Sequence, residues 1–322
     1  MSLTSSGNKY KQHFFLFKKL LNLLKLRSSM FDKQKFEEFY NKNHKYLMMI
    51  PIILLILSIS FLGIKYATTG EIMSRDIGLK GGVVATVYTD KAIDLSLLKE
   101  KIGIEINTRT LTDFATGKQV GFSVETSDLS SDQLKPILEN FIGFGLDQNN
   151  FSVEETSSSL GESFFIQLLL ANLFAFILMG LAVFAAFRTF IPSGAVIFSA
   201  FTDIVVTIGI VSLIGMEISA AGIVAFLLVI GYSVDTDILL TTRMIKRREP
   251  ALFDRMLASL KTGLTMTFAT IIALFAGLIM SNSSVIKEMF TIIVIALFID
   301  ILTTYLTNAG ILTWYCKRKD IR

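Results

Sequence analysis

Six long stretches of the chain are almost entirely apolar: roughly 46–64, 163–187, 191–215, 218–242, 262–285 and 289–315. A helix that crosses the hydrocarbon core of a bilayer needs about 20 such residues. In lipid the backbone must pair its own N–H and C=O groups, which leaves helices or a closed barrel. The runs lack the period-two alternation of barrel strands. The expected fold is therefore an α-helical polytopic membrane protein with six transmembrane helices. Composition agrees: 52% of the residues are hydrophobic and 18% charged, against about 25% charged in soluble domains. The single cysteine, Cys316, excludes an internal disulfide, and two histidines, His13 and His44, leave little for a metal site. No metal, cofactor or catalytic set is expected.

Charge asymmetry predicts the orientation. Residues 1–45 hold ten Lys/Arg and three Asp/Glu, the loop 243–261 six and two, and the tail 316–322 four and one. These segments, and Arg188 in the turn after the second run, fall on one side of a six-helix topology, the cytoplasmic side by the positive-inside rule. The first run follows 45 residues and precedes no small-residue cleavage pattern, so it reads as a permanent anchor. The expected organisation is a cytoplasmic basic N-terminal segment (1–45), helix 1 (46–66), an extracytoplasmic domain (67–161), helices 2–6 (162–315) and a cytoplasmic basic tail (316–322). The insert 67–161 carries eight basic and fourteen acidic residues, consistent with the outer side. The basic patches are explained by topology and anionic lipid, so no nucleic-acid partner is implied. Residues 9–27 interleave Lys with Phe and Leu, as in an amphipathic helix lying on the inner leaflet, with an inner-face protein partner as the rival.

Within the insert, GVVATVY (82–88) reads as a strand. Leu95, Leu98 and Ile102 have helical spacing, with Asp94 or Ser96 as caps, and 104–111 reads as a strand. A turn at 116–118 with Gly117 leads to QVGFSVET (119–126), which alternates as a strand should. A capped helix carrying Leu134, Ile137, Leu138 and Phe141 follows, then a strand over about 151–156. The order βαββαβ is that of an α+β ferredoxin-like domain. It carries no nucleophile–base pair, so an interaction domain is the reading.

Four acids lie inside the apolar runs: Asp203, Asp235, Asp237 and Asp300. A carboxylate at mid-bilayer costs about 2.5–3.5 kcal/mol on insertion scales. Such residues either line an ion or proton path or bond to a neighbouring helix through hydroxyls such as Thr202, Thr207, Tyr232, Ser233, Thr265, Thr267 and Thr303. Asp203 and Asp235 are the leading pair. Asp235 and Asp237 cannot share one helical face unless the helix breaks, which Gly231 would permit. Ser193, Gly194, Ser199 and Gly209 on the third run are expected to face Ala221, Gly222, Ala225 and Gly231 on the fourth. The Gly-rich stretch 75–82 lacks P-loop spacing and reads as a tight lead-in from membrane to domain.

Several of these segments match one family. Asp76-Ile77-Gly78-Leu79-Lys80-Gly81-Gly82 resembles, with extra spacing, the Asp-x-x-Gly-Gly stretch after the first helix of SecF proteins. The segment from Ser199 to Gly209 is similar to their third-helix pattern, where His-Asp-Val is usual. Gly231-Tyr232-Ser233-Val234-Asp235 resembles the fourth-helix signature Gly-Tyr-Ser-x-Asn-Asp-Thr, and Arg243 with its basic loop follows in place. Over about 46–315 the chain resembles the SecF family of protein-export membrane proteins, its archaeal members more than its bacterial ones. Here the signature continues as Asp235-Thr236-Asp237, which places an acid where the related SecD signature has it. Met266 stands where bacterial members tend to carry Arg, and the nearest base is Lys261.

The resemblance implies a non-enzymatic accessory subunit of the Sec translocase, a branch of the resistance-nodulation-division superfamily. With a SecD-like subunit it would promote export of secreted preproteins through a SecY-type translocon in the cell membrane, drawing on an ion gradient through the intramembrane acids. Its partners would then be SecD, the translocon, preproteins and membrane lipids. A transporter of lipid or small molecules from the same superfamily is the alternative, although those chains usually carry twelve helices and two large outer domains. An intramembrane aspartyl protease would need a Gly-x-Gly-Asp motif, which this sequence lacks.

Overall fold

The computed structural model describes residues 33–89, 91, 93, 95, 97–98, 106–112, 118–246, 251–281 and 283–319. The stretch 9–27, the caps Asp94 and Ser96, Ile102 and Gly117 lie outside the described residues. The chain divides at Met48/Met49 into two compact units. The described part of the first unit is helical throughout, and the second holds the sheet domain and the remaining helices.

Helix α1 (Lys33–Thr69) runs across that division. A one-turn helix α2 (Ile77–Lys80) leads into β1 (Gly82–Tyr88), β2 (Asn107–Thr112), β3 (Gln119–Thr126), α3 (Ser131–Ile142) and β4 (Phe151–Thr156). The membrane helices follow: α4 (Ser158–Phe187), α5 (Phe190–Leu213), α6 (Ala220–Lys246) and α7 (Leu252–Met280). Among the described residues, five helices are long and apolar enough to cross a membrane: residues 42–69 of α1, then α4 to α7. The last apolar run is interrupted. It consists of α8 (Ser284–Leu302), a π-helical turn (Thr303–Asn308) and α9 (Ala309–Arg318). A π turn inserts one residue into the helical ladder and re-aims the side chains around it. Here it falls on the polar stretch TTYLTN.

The four strands form one antiparallel sheet in the order β2-β3-β1-β4. Val83, Ala85 and Val87 alternate inward along β1 and meet Phe122 and Val124 of β3, with Leu134 and Leu138 of α3 closing the core. Residues 95, 97 and 98 are helical, as their spacing predicts, and Leu98 is buried in the same core. Gln133 in the first turn of α3 accepts the Ser130 N–H at 3.1 Å, and Gly143 ends the helix in the left-handed conformation, the usual closing geometry.

The lead-in motif has a steric cause. Asp76 caps α2 by accepting the Leu79 N–H at 3.2 Å. Gly81 and Gly82 have φ of 86° and 144°, and a Cβ on Gly81 would collide with the Ser158 backbone. Two glycines in sequence therefore let the chain leave α2, enter β1 and pass against the first turn of α4. The preceding segment is tied to the α5–α6 loop by two backbone bonds, from Ile218 N–H to Ser74 O at 2.8 Å and from Asp76 N–H to Ile218 O at 3.1 Å. The sheet edge reaches the same end of the bundle: Asn107 donates to Glu217 at 2.7 Å, and Arg109 donates to Ser284 at 3.0 Å.

Inside the bundle, α5 and α6 are each 56% buried over their apolar windows and α4 only 6%, so α5, α6 and the α8–α9 segment make the centre. The glycines among the small residues do not pair as expected. A Cβ on Gly209 would meet Ser58 of α1 at 2.8 Å, and one on Gly222 would meet Glu288, while Gly194 and Gly231 face open space. Gly222 makes room for Glu288, which accepts the Ser219 N–H at 2.8 Å at the start of α6. Helix α6 runs unbroken through Gly231.

Candidate ion-coupling site in the membrane

Three elements bring polar stripes to the bundle centre. On α5, Ser199, Asp203 and Thr207 recur every four residues and are buried, as one inward face requires. On α6 the corresponding face carries Ser233, Thr236, Asp237 and Thr241. The π-helical turn and the residues before it contribute Asp300, Thr303, Thr304 and Asn308. Asp203, Asp237 and Asp300 are at most 2% exposed.

Hydroxyls link the three acids. Ser233 and Thr303 donate to the two oxygens of Asp203, each at 2.5 Å. Thr236 lies 3.0 and 2.9 Å from the oxygens of Asp300 and 2.8 Å from the Ser233 carbonyl. Thr304 sits between two acids, 2.9 Å from Asp237 Oδ1 and 3.0 Å from Asp300 Oδ1. Asn308 donates to Asp237 Oδ1 at 2.7 Å. A threonine hydroxyl carries one hydrogen, so Thr304 can donate to only one of its two carboxylates at a time. Thr304, between Asp237 and Asp300, is placed to relay a proton from one to the other.

Of the candidate partners, Ser233 and Thr303 reach an acid. Thr202 and Thr265 bond the carbonyls four residues back on their own helices, and Tyr232 is exposed. Thr207 and Thr267 are buried, the former without a partner. Asp235 is not in the cluster: it is exposed on the opposite face of α6, with Gly231 and Tyr232. Arg243, in the last turn of α6, donates to the Ala258 carbonyl of α7. Met266 and Lys261 are both exposed on α7, away from the acids. Thr236, Thr304 and Asn308 are the members that sequence reasoning does not single out. A signal for Asn308 exists: TNAG (307–310) within an apolar run is costly in lipid unless the side chains point inward.

Tyr305, in the same turn, extends across to α7 and lies 3.4 Å from the Ser259 carbonyl. Gly263 admits it, since a Cβ there would collide with the tyrosine oxygen.

Residues 137–318 match the family model for the protein export membrane protein SecD/SecF, C-terminal. The SecF protein-export membrane protein of Methanocaldococcus jannaschii is 37% identical over 85% of this chain and 96% of its own length, and that of Methanolacinia petrolearia 34% over 85% and 94%. Among solved structures, SecDF of Thermus thermophilus, a translocon-associated membrane protein, aligns at 19% identity with a TM-score of 0.65, covering 86% of this chain and 38% of that one. SecDF in a super-membrane-facing form aligns at 20% identity with a TM-score of 0.53, covering 87% and 39%. The chain thus spans well under half of those longer chains, and the likeness to them is one of fold.

Fold and site together define a multi-pass membrane protein with a small antiparallel sheet domain and a carboxylate cluster at the centre of its helix bundle. The chain belongs to the SecD/SecF family of protein-export membrane proteins, with SecF as its relatives, and is an accessory subunit of Sec protein export.

Proposed function

We propose that this chain pairs with a SecD-like subunit and uses an ion gradient, through Asp203, Asp237 and Asp300, to promote export of preproteins delivered by a SecY-type translocon. The observation that carries the ion coupling is the hydroxyl-linked set of three buried acids on three helical elements. Structural acids could be satisfied singly; linked ones can exchange charge. The reading needs no catalytic step and no cofactor.

The partner is supported by Asp235. Its carboxylate is exposed on an apolar face shared with Val224, Leu227, Leu228 and Tyr232. Lipid is a poor neighbour for a carboxylate, so a second helical protein with a polar counterpart belongs on this face. The fourth-helix motif Gly231, Tyr232, Ser233 and Asp235 is then divided, with Ser233 facing Asp203 inside and the rest facing the partner.

In this reading the sixth apolar run spans the membrane despite its π turn, giving six spans. The strand order β2-β3-β1-β4, with helical residues 95, 97 and 98 between β1 and β2 and α3 between β3 and β4, supports a ferredoxin-like domain. Residues 67–161 lie outside the cell, and the basic segments 1–45 and 316–322 inside, at the cytoplasmic leaflet. Asp76, Gly81 and Gly82 fix the domain to the outer end of the bundle, and Arg243 ties α6 to α7 near the inner end.

Two experiments test this. Depletion of the chain should delay processing of a secreted reporter in pulse-chase. A cross-linker on Asp235→Cys should capture a second polytopic subunit; Cys316, the one native cysteine, is buried. Normal processing on depletion would remove the export role, and capture of lipid alone would remove the partner from this face.

A further inference from the structure

The segment 70–76, which leads out of α1, gathers positive charge at the edge of the helix bundle. Lys65, in the last turns of α1, donates to Ser74 at 3.3 Å and to Ser212, at the end of α5, at 2.7 Å. Both partners are neutral, and among the described residues no acid forms a salt bridge with Lys65. Arg75 and Lys80 share one acid, Glu71, at 3.0 and 3.5 Å. Asp76 is engaged in capping α2, and Glu162, one turn into α4, pairs with none of the three cations. The arrangement is held in place. The Arg75 guanidinium carbon lies 4.8 Å from the centroid of the Phe165 ring on α4, and the Arg75 backbone bridges to Ile218. In the proposed orientation these residues lie at the outer end of α1, where Lys and Arg close to a span are normally depleted, so their presence there calls for a local cause. Apolar surface lies beside them. Helices α1 and α4, at either end of the lead-in, are only 11% and 6% buried over their apolar windows, and Ile64, Tyr66, Ile72 and Phe164 are exposed near the charges in sequence.

We propose that Lys65, Arg75 and Lys80 bind the phosphate of an anionic membrane lipid whose acyl chains lie against α1 and α4. The arginine fork matches two phosphate oxygens, and the lysines add point charge. A lysine near the end of a span carries its ammonium to the headgroup level, and an exposed tyrosine such as Tyr66 belongs to the same level. A free anion gains from the three charges alone. A lipid gains from the charges and from the bare helix faces as well, which is why the site is assigned to a lipid. Glu71 has two opposed effects: it holds Arg75 and Lys80 together, and it repels the phosphate as a like charge. The inference is independent of the export role and rests on the proposed orientation only for the choice of leaflet.

The test is thermal unfolding of the purified full chain in a neutral detergent with rising dioctanoyl phosphatidylglycerol. The midpoint should rise saturably in the wild type and equally in a Lys287→Gln control, which removes an exposed cation from the start of α8. In Lys65→Gln and in Arg75→Gln the half-saturating concentration should increase about fivefold, the worth of one Lys or Arg at a lipid surface. In Glu71→Gln it should fall, an outcome that a purely structural role for the Glu71 pairs would not give. No rise in the wild type, or the same half-saturation in every variant, overturns the proposal. So does an equal rise with dioctanoyl phosphatidylcholine, which has the phosphate without the net charge, or with inorganic phosphate, which would make the site one for a free anion. Should the variants fail to fold, the wild type decides alone: a phosphatidylglycerol with a photoactivatable headgroup should label peptides spanning 65–80, and labelling confined to other segments overturns the proposal. Orientation is read separately, from labelling of Lys80→Cys in intact cells. Lipid binding with Lys80→Cys shielded from an impermeant reagent would keep the site and reverse the leaflet; labelling from outside without lipid binding would keep the orientation and remove the site.

Discussion

Asp235 and Asp237, two residues apart on α6, point to opposite sides of the helix: Asp237 is fully buried among hydroxyls, and Asp235 is exposed on an apolar face. One short motif thus serves two environments, the centre of this chain and its outer surface.

For Asp235 this division predicts a change in association without a change in fold. Asp235→Leu should leave thermal stability of the isolated chain equal or higher, since it removes a carboxylate that costs about 2.5–3.5 kcal/mol at the centre of a span. Co-purification of the second membrane subunit should fall in parallel. A clear drop in the stability of the isolated chain would show that Asp235 has a partner within it.

Replacing Thr304 removes the hydroxyl between Asp237 and Asp300. Thr304→Val is isosteric and should cost about 1–3 kcal/mol, the penalty for leaving a buried polar group unpaired. Thr304→Ser should recover most of it. Thermal unfolding in detergent measures both, and equal midpoints for Val and wild type would mean that the hydroxyl is not bridging.

At the domain lead-in, Gly81→Ala meets two obstacles, a left-handed φ of 86° and a collision with the Ser158 backbone. We expect a loss of more than about 2 kcal/mol from the combined backbone and overpacking costs. It should appear as faster proteolysis between residues 67 and 161 of the full chain. Gly143→Ala, at an open position with φ of 77°, should cost less, about 1–2 kcal/mol from the backbone term alone.

The sheet domain should also respond to pH. Burial lifts the carboxyls of Asp76 and Glu125 above their ordinary range, and Arg109 pulls both back only in part. An acid whose carboxyl is raised in the folded state binds its proton more tightly there. Its favourable contribution is complete below the unfolded value, about 4, and is lost as pH rises through the folded one. Protection factors for amides across β1 and β3 in the full chain, corrected for the base-catalysed intrinsic rate, should therefore be larger at mildly acid pH than at neutral pH. Glu125→Gln should flatten the difference; an unchanged slope in that variant would assign the effect elsewhere.

Much of this architecture is legible in the sequence. The apolar runs predict the membrane helices because lipid leaves the backbone few solutions, and the alternation of Val83, Ala85 and Val87 predicts β1 and its inner face. The convergence of Asp203 with another acid is legible too, since a deep carboxylate needs company. Which acid of the α6 pair turns inward is harder to read, because helix phase is set by packing. The informative stripe is Gly222, Ala225, Ser233, Thr236 and Thr241, small or hydroxylic on the buried side, against Val224, Leu227, Leu228 and Tyr232 on the other. The π turn is invisible to a 3.6-residue period, and with it the inward placing of both Thr303 and Thr304.

The central claim is that the buried carboxylates work in export. Its most direct test is the export rate of a secreted reporter in depleted cells complemented with wild type or with Asp203→Asn, Asp237→Asn and Asp300→Asn combined, at matched membrane levels. The account predicts rescue by the wild type and persistent delay with the triple variant. Full rescue by a correctly folded triple variant would contradict it.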